Sequence, residues 1–134
     1  MREHMGLFRG KRLDSGEWVE GFYVEFSDPL TGNHERYIQT VKSDGRLDLI
    51  HKVDPNTVGE CTGLPDVNSK LIFEGDIFDW GYAGVKDKRY VVVYDTEMAS
   101  FVGERGCGFV TLNGIDIEII GNIHDNPQLL LQEE

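Results

Sequence analysis

Residues 59–80 read GECTGLPDVNSKLIFEGDIFDW, a turn-rich joint with strand-patterned sequence on both sides. Pro65-Asp66 and Asn68-Ser69 each supply turn chemistry: proline presets φ, while Asp and Asn bond their own backbone and tolerate left-handed geometry. Leu71, Ile72 and Phe73 follow as a short apolar run, Glu74-Gly75-Asp76 interrupts it, and Ile77 to Trp80 resumes a strand. Gly75 is the expected break, since glycine takes positive φ without a steric penalty. The segment ends one strand, turns and begins another. Nothing in it has the layout of a catalytic motif.

Upstream, Phe8 to Arg12 reads as a strand and Leu13-Asp14-Ser15-Gly16 as a hairpin connection. Trp18, Phe22, Val24 and Phe26 then recur with a period of two, which predicts a strand with an aromatic core face. Glu20 interrupts this apolar row and reads as a sheet-edge residue. Strands over about 36–41 and 47–53 are separated by the turn Ser43-Asp44-Gly45-Arg46, with Tyr37 and Val41 on one face. Downstream, Tyr90-Val91-Val92-Val93-Tyr94 is apolar on both faces, which predicts a central strand. Ala99–Glu104 and Phe109–Leu112 continue the pattern, and Asn113-Gly114 is the strongest hairpin signal in the chain. Ile115, Ile117 and Ile119 alternate with Asp116 and Glu118 as a half-buried strand, and Asp125-Asn126-Pro127 opens a short helical turn. No three-turn helical stripe occurs. The chain therefore reads as one domain over 1–134, mainly β and antiparallel with little helix. Hairpins occupy 1–57, and the joint with a small SH3-like barrel occupies 58–134.

Three landmarks also carry a resemblance. They are Phe8-Arg9-Gly10-Lys11 with Gly16-Glu17-Trp18-Val19-Glu20-Gly21, the central TGLPDVNSKLIFEGDIFDW, and the closing Ile120-Gly121-Asn122-Ile123-His124-Asp125-Asn126-Pro127. In this order the chain resembles the YopX family, small proteins carried mainly by phages and prophages of Gram-positive bacteria. One departure stands in the central turn, where Asn68-Ser69 replaces the usual Asn-Gly. The resemblance implies a mostly β fold with an SH3-like barrel component, and it brings no catalytic residues.

The 134 residues carry 24 acids against 13 bases, a net charge of −11. Arg2, Arg9, Lys11 and Arg12 against Glu3 make the first 12 residues locally +3, so the remainder carries −14. An acidic surface disfavours phosphate contacts, so direct nucleic-acid binding through Arg9, Lys11 and Arg12 is not expected. Cys61 and Cys107 form no metal-binding or redox spacing and read as buried thiols. With no apolar leader and no long apolar run, neither secretion nor a membrane span is expected, and the bacterial host's cytoplasm is the expected location.

Glu74, Asp76 and Asp79 invite a metal-assisted hydrolase reading, because hard cations gather oxygen ligands. The calcium-loop spacing is absent, and Asp76 directly after Gly75 suits a turn, so the metal reading is the weaker one. Cys107 with His124 and Asn122 or Asn126 matches no cysteine-hydrolase signature. Gly81-x-x-Gly84 and Gly103-x-x-Gly106-x-Gly108 are flanked by strands rather than the helices that nucleic-acid or dinucleotide loops need. Trp80 and Tyr82, beside a glycine loop, are candidate interaction residues along with Glu74, Asp76 and Asp79. The functional expectation is a phage- or prophage-derived, non-enzymatic binding or adaptor protein with protein partners and no cofactor, self-association being compatible with exposed strand edges. The alternatives are an acidic mimic that occupies a host nucleic-acid-binding protein, and the metal-assisted hydrolase.

Overall fold

The computed structural model describes residues 6–80, 88–106, 108–112 and 116–131. It is mostly β and divides into two compact units, Met1–Cys61 and Thr62–Glu134.

In the first unit, β1 (Leu7–Lys11), β2 (Trp18–Ser27), β3 (His34–Val41) and β4 (Leu47–Lys52) pair antiparallel in sequence order, and β5 (Gly59–Pro65) joins the far side of β1. Gly16, Gly32 and Gly45 all sit at positive φ in the three hairpin connections, where a side chain would be strained. A bridge between Arg12 and Val53 brings the end of β1 to the end of β4, and the Leu13 amide donates to the Lys52 carbonyl at 3.0 Å. Ile38, Val53 and Cys61 are buried, so Cys61 is the buried thiol that its residue type suggested.

The aromatic row of β2 does not form this core. Phe22 and Phe26 are about half exposed, while Gly21 on the opposite face is buried. A Cβ at Gly21 would stand 2.1 Å from the Gln39 carbonyl oxygen. The close approach of β3 therefore selects the glycine-bearing face as the inner one. On that face Tyr23 packs on Phe8 with ring centroids 5.3 Å apart, and Tyr23 stands opposite Ile38. Phe26 instead stacks on Tyr37 at 5.1 Å on the outer face. The β3–β4 ladder is irregular opposite Gln39–Val41, where two steps along β3 face three along β4 from Ile50 to Leu47; the extra residue lies in β4, so Tyr37 and Val41 keep their shared face while the alternation of β4 is reversed.

In the second unit, β6 (Leu71–Phe73) hydrogen-bonds to β5. Then β7 (Asp76–Trp80), β8 (Lys88–Asp95), β9 (Ser100–Arg105), β10 (Gly108–Thr111) and β11 (Glu118–Asn122) form a sheet in the order β10-β9-β8-β7-β11. Five strands are the number a small barrel needs; among the described residues the ladder runs from β10 to β11 without joining those two edges. β8 is central, as its two-faced apolar pattern requires. Its Val92 packs with Ile72, Phe78, Leu112, Ile117 and Ile119, and Trp80, Tyr90, Phe101 and Val110 close around them. Gly103 is what admits the Phe78 ring: a Cβ there would lie 2.4 Å from Phe78 Cζ. The tail forms α1 (Gln128–Leu131), one turn following Pro127. The Asn113-Gly114 hairpin, Cys107 and the loop over 81–87 lie outside the described residues.

Candidate functional site

Pro65 ends β5, and Asp66 then organises the first turn of the joint. Its Oδ1 accepts the amides of Asn68 at 2.8 Å and Lys70 at 2.9 Å, and its Oδ2 accepts the Ile119 amide at 3.1 Å. Burial works to raise this carboxyl's pKa. The amides of Ile119, Lys70 and Asn68, helped by the Lys70 charge, outweigh it and hold the group below its ordinary value. Ser69 takes φ 66 in this turn, the left-handed position an Asn-Gly pair would fill with glycine.

The second turn places the carboxylates that invited a metal. Gly75 sits at φ 92, its amide donates to the Val92 carbonyl and its own carbonyl accepts the Ile123 amide, both at 2.9 Å. Asp76 is 1 % exposed and its Oδ2 accepts the Phe73 amide at 2.8 Å. It closes the β6–β7 turn. Asp79, three residues along the same strand, projects to the opposite face, where Arg89 Nε meets its Oδ1 at 3.3 Å. Glu74 lies in the turn itself. The three side chains are thus distributed over a turn and two strand faces, and among the described residues no group of three His, Cys, Asp or Glu is arranged to hold a metal ion.

Trp80 is half-buried against the second unit's core, edge-on to Tyr90 at 6.2 Å. It is placed as a lid on packed side chains. Tyr82 lies outside the described residues. Asn122 and Asn126 are occupied in the turn after β11: Asn126 Oδ1 accepts the Asn122 amide, and Asn122 Oδ1 accepts the amides of His124 and Asp125. Among the basic residues near the N-terminus, Arg9 and Lys11 lie over the Trp18 ring at 4.7 and 5.5 Å, and Arg12 forks onto Asp14 at 2.9 and 2.7 Å.

The strand alternation of β8 builds a site that the motif reading passed over. Tyr90 and Val92 turn into the core, so Arg89, Val91 and Val93 turn out together. They line a groove of about 350 Å³ with Glu104, Arg105 and Leu130. Arg89 is held in place from two directions, by Asp79 and by the Leu129 carbonyl, to which its guanidinium donates at 2.7 Å. The result is an apolar floor with cationic flanks and one carboxylate. That combination suits an extended segment carrying an aliphatic side chain and an acidic one. The available signal was the Arg-x-Val-x-Val alternation itself, which puts a cation on an apolar face. The first unit has a second groove of about 470 Å³, lined by Arg12, Leu13, Asp14, Ile50, His51 and Lys52.

Comparison with known proteins gives a family and solved structures of similar fold. The family described as YopX protein matches residues 7–131, nearly the whole chain. No curated protein matches. Among solved structures, the crystal structure of protein EF1440 from Enterococcus faecalis is similar with a TM-score of 0.55 and 22% identity, over 92% of this chain and 96% of that one. At that identity the likeness concerns the fold. Among the described residues, no helix is long and apolar enough to cross a membrane.

Proposed function

This chain belongs to the YopX family, and from that premise we propose that it is a non-enzymatic binding or adaptor protein, phage- or prophage-derived, that captures a protein segment in the second unit's groove. The observation that supports this is the pairing of Arg89 and Arg105 with Val91, Val93 and Leu130 around one open channel. The joint's suggestive carboxylates have backbone work to do, Asp66 and Asp76 in turns and Asp79 in positioning Arg89. Affinity capture with the wild-type chain and with Arg105→Glu tests the reading. A partner that binds the first and is lost from the second, with both proteins melting alike, supports it. An identical partner set for the two proteins would refute it.

A second reading rests on charge. Residues 62–134 carry 13 acidic and 5 basic side chains, a net −8, against 11 and 8, a net −3, in residues 1–61. We propose as the alternative that this acidic unit occupies a basic, nucleic-acid-binding protein of the host. Such a complex dissociates as salt rises from about 0.05 to 0.5 M, because screening shortens the reach of surface charges from over 10 Å to a few. A salt-insensitive partner set, or partners without a basic surface, would remove it.

A further inference from the structure

We infer that the second unit's groove is competed for by the chain's own tail, and that the partner segment it takes is built like that tail, leucine-rich and then acidic. The inference rests on the reading of this groove as a segment-binding site, and it names both the ligand and the regulator. Leu130 of α1 already stands in the groove's lining beside Val91 and Val93. One residue earlier, the Leu129 carbonyl accepts a hydrogen bond from the Arg89 guanidinium at 2.7 Å. Main-chain hydrogen bonds with side chains set into an apolar floor are the contacts by which a bound segment is read. The tail makes both from within the chain.

The tail is seated there without being built in. Its firmly held part ends at Asn126, whose Oδ1 accepts the Asn122 amide at 3.1 Å and whose own amide donates to the Asn122 carbonyl at 2.8 Å. The Asn126 side chain also lies on Gly121, where a Cβ would stand 2.6 Å from Oδ1. Beyond Pro127 the hold weakens. α1 is a single turn of four residues with no buried side chain, and Leu131 is 81% exposed. One turn does not sustain itself in water, so α1 persists through the Arg89 bond and the seat of Leu130 in the groove. Neither contact belongs to the core cluster around Val92, so the tail leaves the groove without unfolding the sheet. Arg89 keeps its place when it does, because Asp79 on β7 meets its Nε at 3.3 Å.

Composition names the ligand. Residues 128–134 read QLLLQEE. Residues 62–134 carry 5 basic side chains against 13 acidic, and Arg89 and Arg105, both among the five, border this groove. Elsewhere on the unit an acidic segment is repelled. Here its carboxylates meet cations while its leucines cover Val91 and Val93. A basic segment has the reverse preference. The tail, tethered at Asn126, competes at an effective concentration of about millimolar order. A partner's apparent affinity is therefore lowered by the fraction of molecules whose groove the tail has vacated, and the chain takes up only segments that outbid its own.

Fluorescence anisotropy tests this with a labelled, C-terminally amidated peptide of residues 127–134, PQLLLQEE. It is titrated into the full chain and into full-length Leu130→Ser, which removes the side chain the tail places in the groove. The variant should bind the peptide about tenfold more tightly than wild type, the gain expected when the tail fills the groove in about nine molecules of ten. Adding Arg105→Glu to that variant should weaken binding about fivefold or more, and a peptide with serine for each leucine should not bind. In the wild-type chain, the Leu129 and Leu130 amides are bonded to the Asn126 and Pro127 carbonyls. Their hydrogen exchange should quicken as the peptide is raised to about 1 mM, because a displaced tail frays. This arm needs no substitution, so an unstable variant leaves the test in force. Equal affinity in wild type and Leu130→Ser, with unchanged exchange, overturns the tail as competitor and leaves the groove reading standing. Absence of binding to both chains, or binding indifferent to Arg105→Glu, overturns the inference with its ligand; partner capture by wild type and Arg105→Glu then decides the groove reading separately.

Discussion

Replacing Asp66 by Asn tests whether the joint is held by one buried carboxylate. In the native chain Oδ2 accepts the Ile119 amide while Oδ1 accepts those of Asn68 and Lys70. Asn68 and Lys70 are exposed, so water can replace the carboxylate there; Ile119 is buried and has no such recourse. The Asn side chain keeps one acceptor and turns an NH2 toward one of these donors. A buried amide left unsatisfied costs about 1–3 kcal/mol, so we expect Asp66→Asn to lose about 2 kcal/mol at pH 7, concentrated at Ile119. Denaturant unfolding measures the total, and hydrogen exchange at the Ile119 amide localises it. The pH dependence has a definite sign. The folded carboxyl titrates below its ordinary 3.8, so its contribution is complete above that value and fades as pH falls through the folded pKa. The gap between wild type and variant should therefore narrow on acidification below pH 3.8. A variant within about 0.5 kcal/mol of wild type with an equally protected Ile119 amide would refute the reasoning, as would a gap that widens in acid.

Ser69→Gly should stabilise the chain by up to about 1 kcal/mol, because φ 66 costs a non-glycine residue about 1–2 kcal/mol and glycine's extra chain entropy returns part of that; a lower melting temperature would contradict it. Gly103→Ala drives a methyl into the Phe78 ring, whose Cζ is 2.4 Å from the added atom, and should cost about 1–3 kcal/mol in denaturant unfolding. Arg89→Ala removes both the Asp79 pair and the bond to the Leu129 carbonyl, so exchange in α1 should accelerate while total stability falls by about 1–2 kcal/mol. Unchanged α1 exchange would mean that Arg89 does not fasten the tail.

Local chemistry made much of the fold legible. Pro65-Asp66 and Glu74-Gly75-Asp76 turn where turn formers predict, Val92 sits in a central strand, and Pro127 precedes a helical turn. What escaped depends on contacts distant in sequence. Which face of β2 turns inward is decided by how closely the Gln39 carbonyl approaches Gly21, and a row of aromatics carries no information about that distance. The bond from the Ile119 amide to Asp66 spans 53 residues and has no local pattern. The β3–β4 irregularity is equally silent, since one residue's slip inverts a face without changing the composition of either strand. The surroundings of the candidate residues were hidden for the same reason. Trp80 beside a loop is consistent with contact or with packing, and its edge-on packing against Tyr90 has no pattern in the local sequence.

Asp66, Asp76 and Asp79 share a further logic that bears on where function can reside. A turn-rich joint presents more backbone amides than its short strands can pair, and a buried amide must find an acceptor. Short carboxylates are the side chains that reach back to their own turn, so the joint accumulates acids that resemble a ligand cluster in sequence while each answers a different local demand in space. Asp79 shows the transition from one role to the other. Being on the strand face opposite Asp76, it is released from turn-making and holds Arg89, and Arg89 in turn fixes one wall of the groove and the start of the tail. The same acidic run thus builds the scaffold on one face and positions the groove's cation on the other. Asp79→Asn consequently should leave the β6–β7 turn intact while loosening Arg89. Its effect should appear in partner capture and α1 exchange before it appears in global stability.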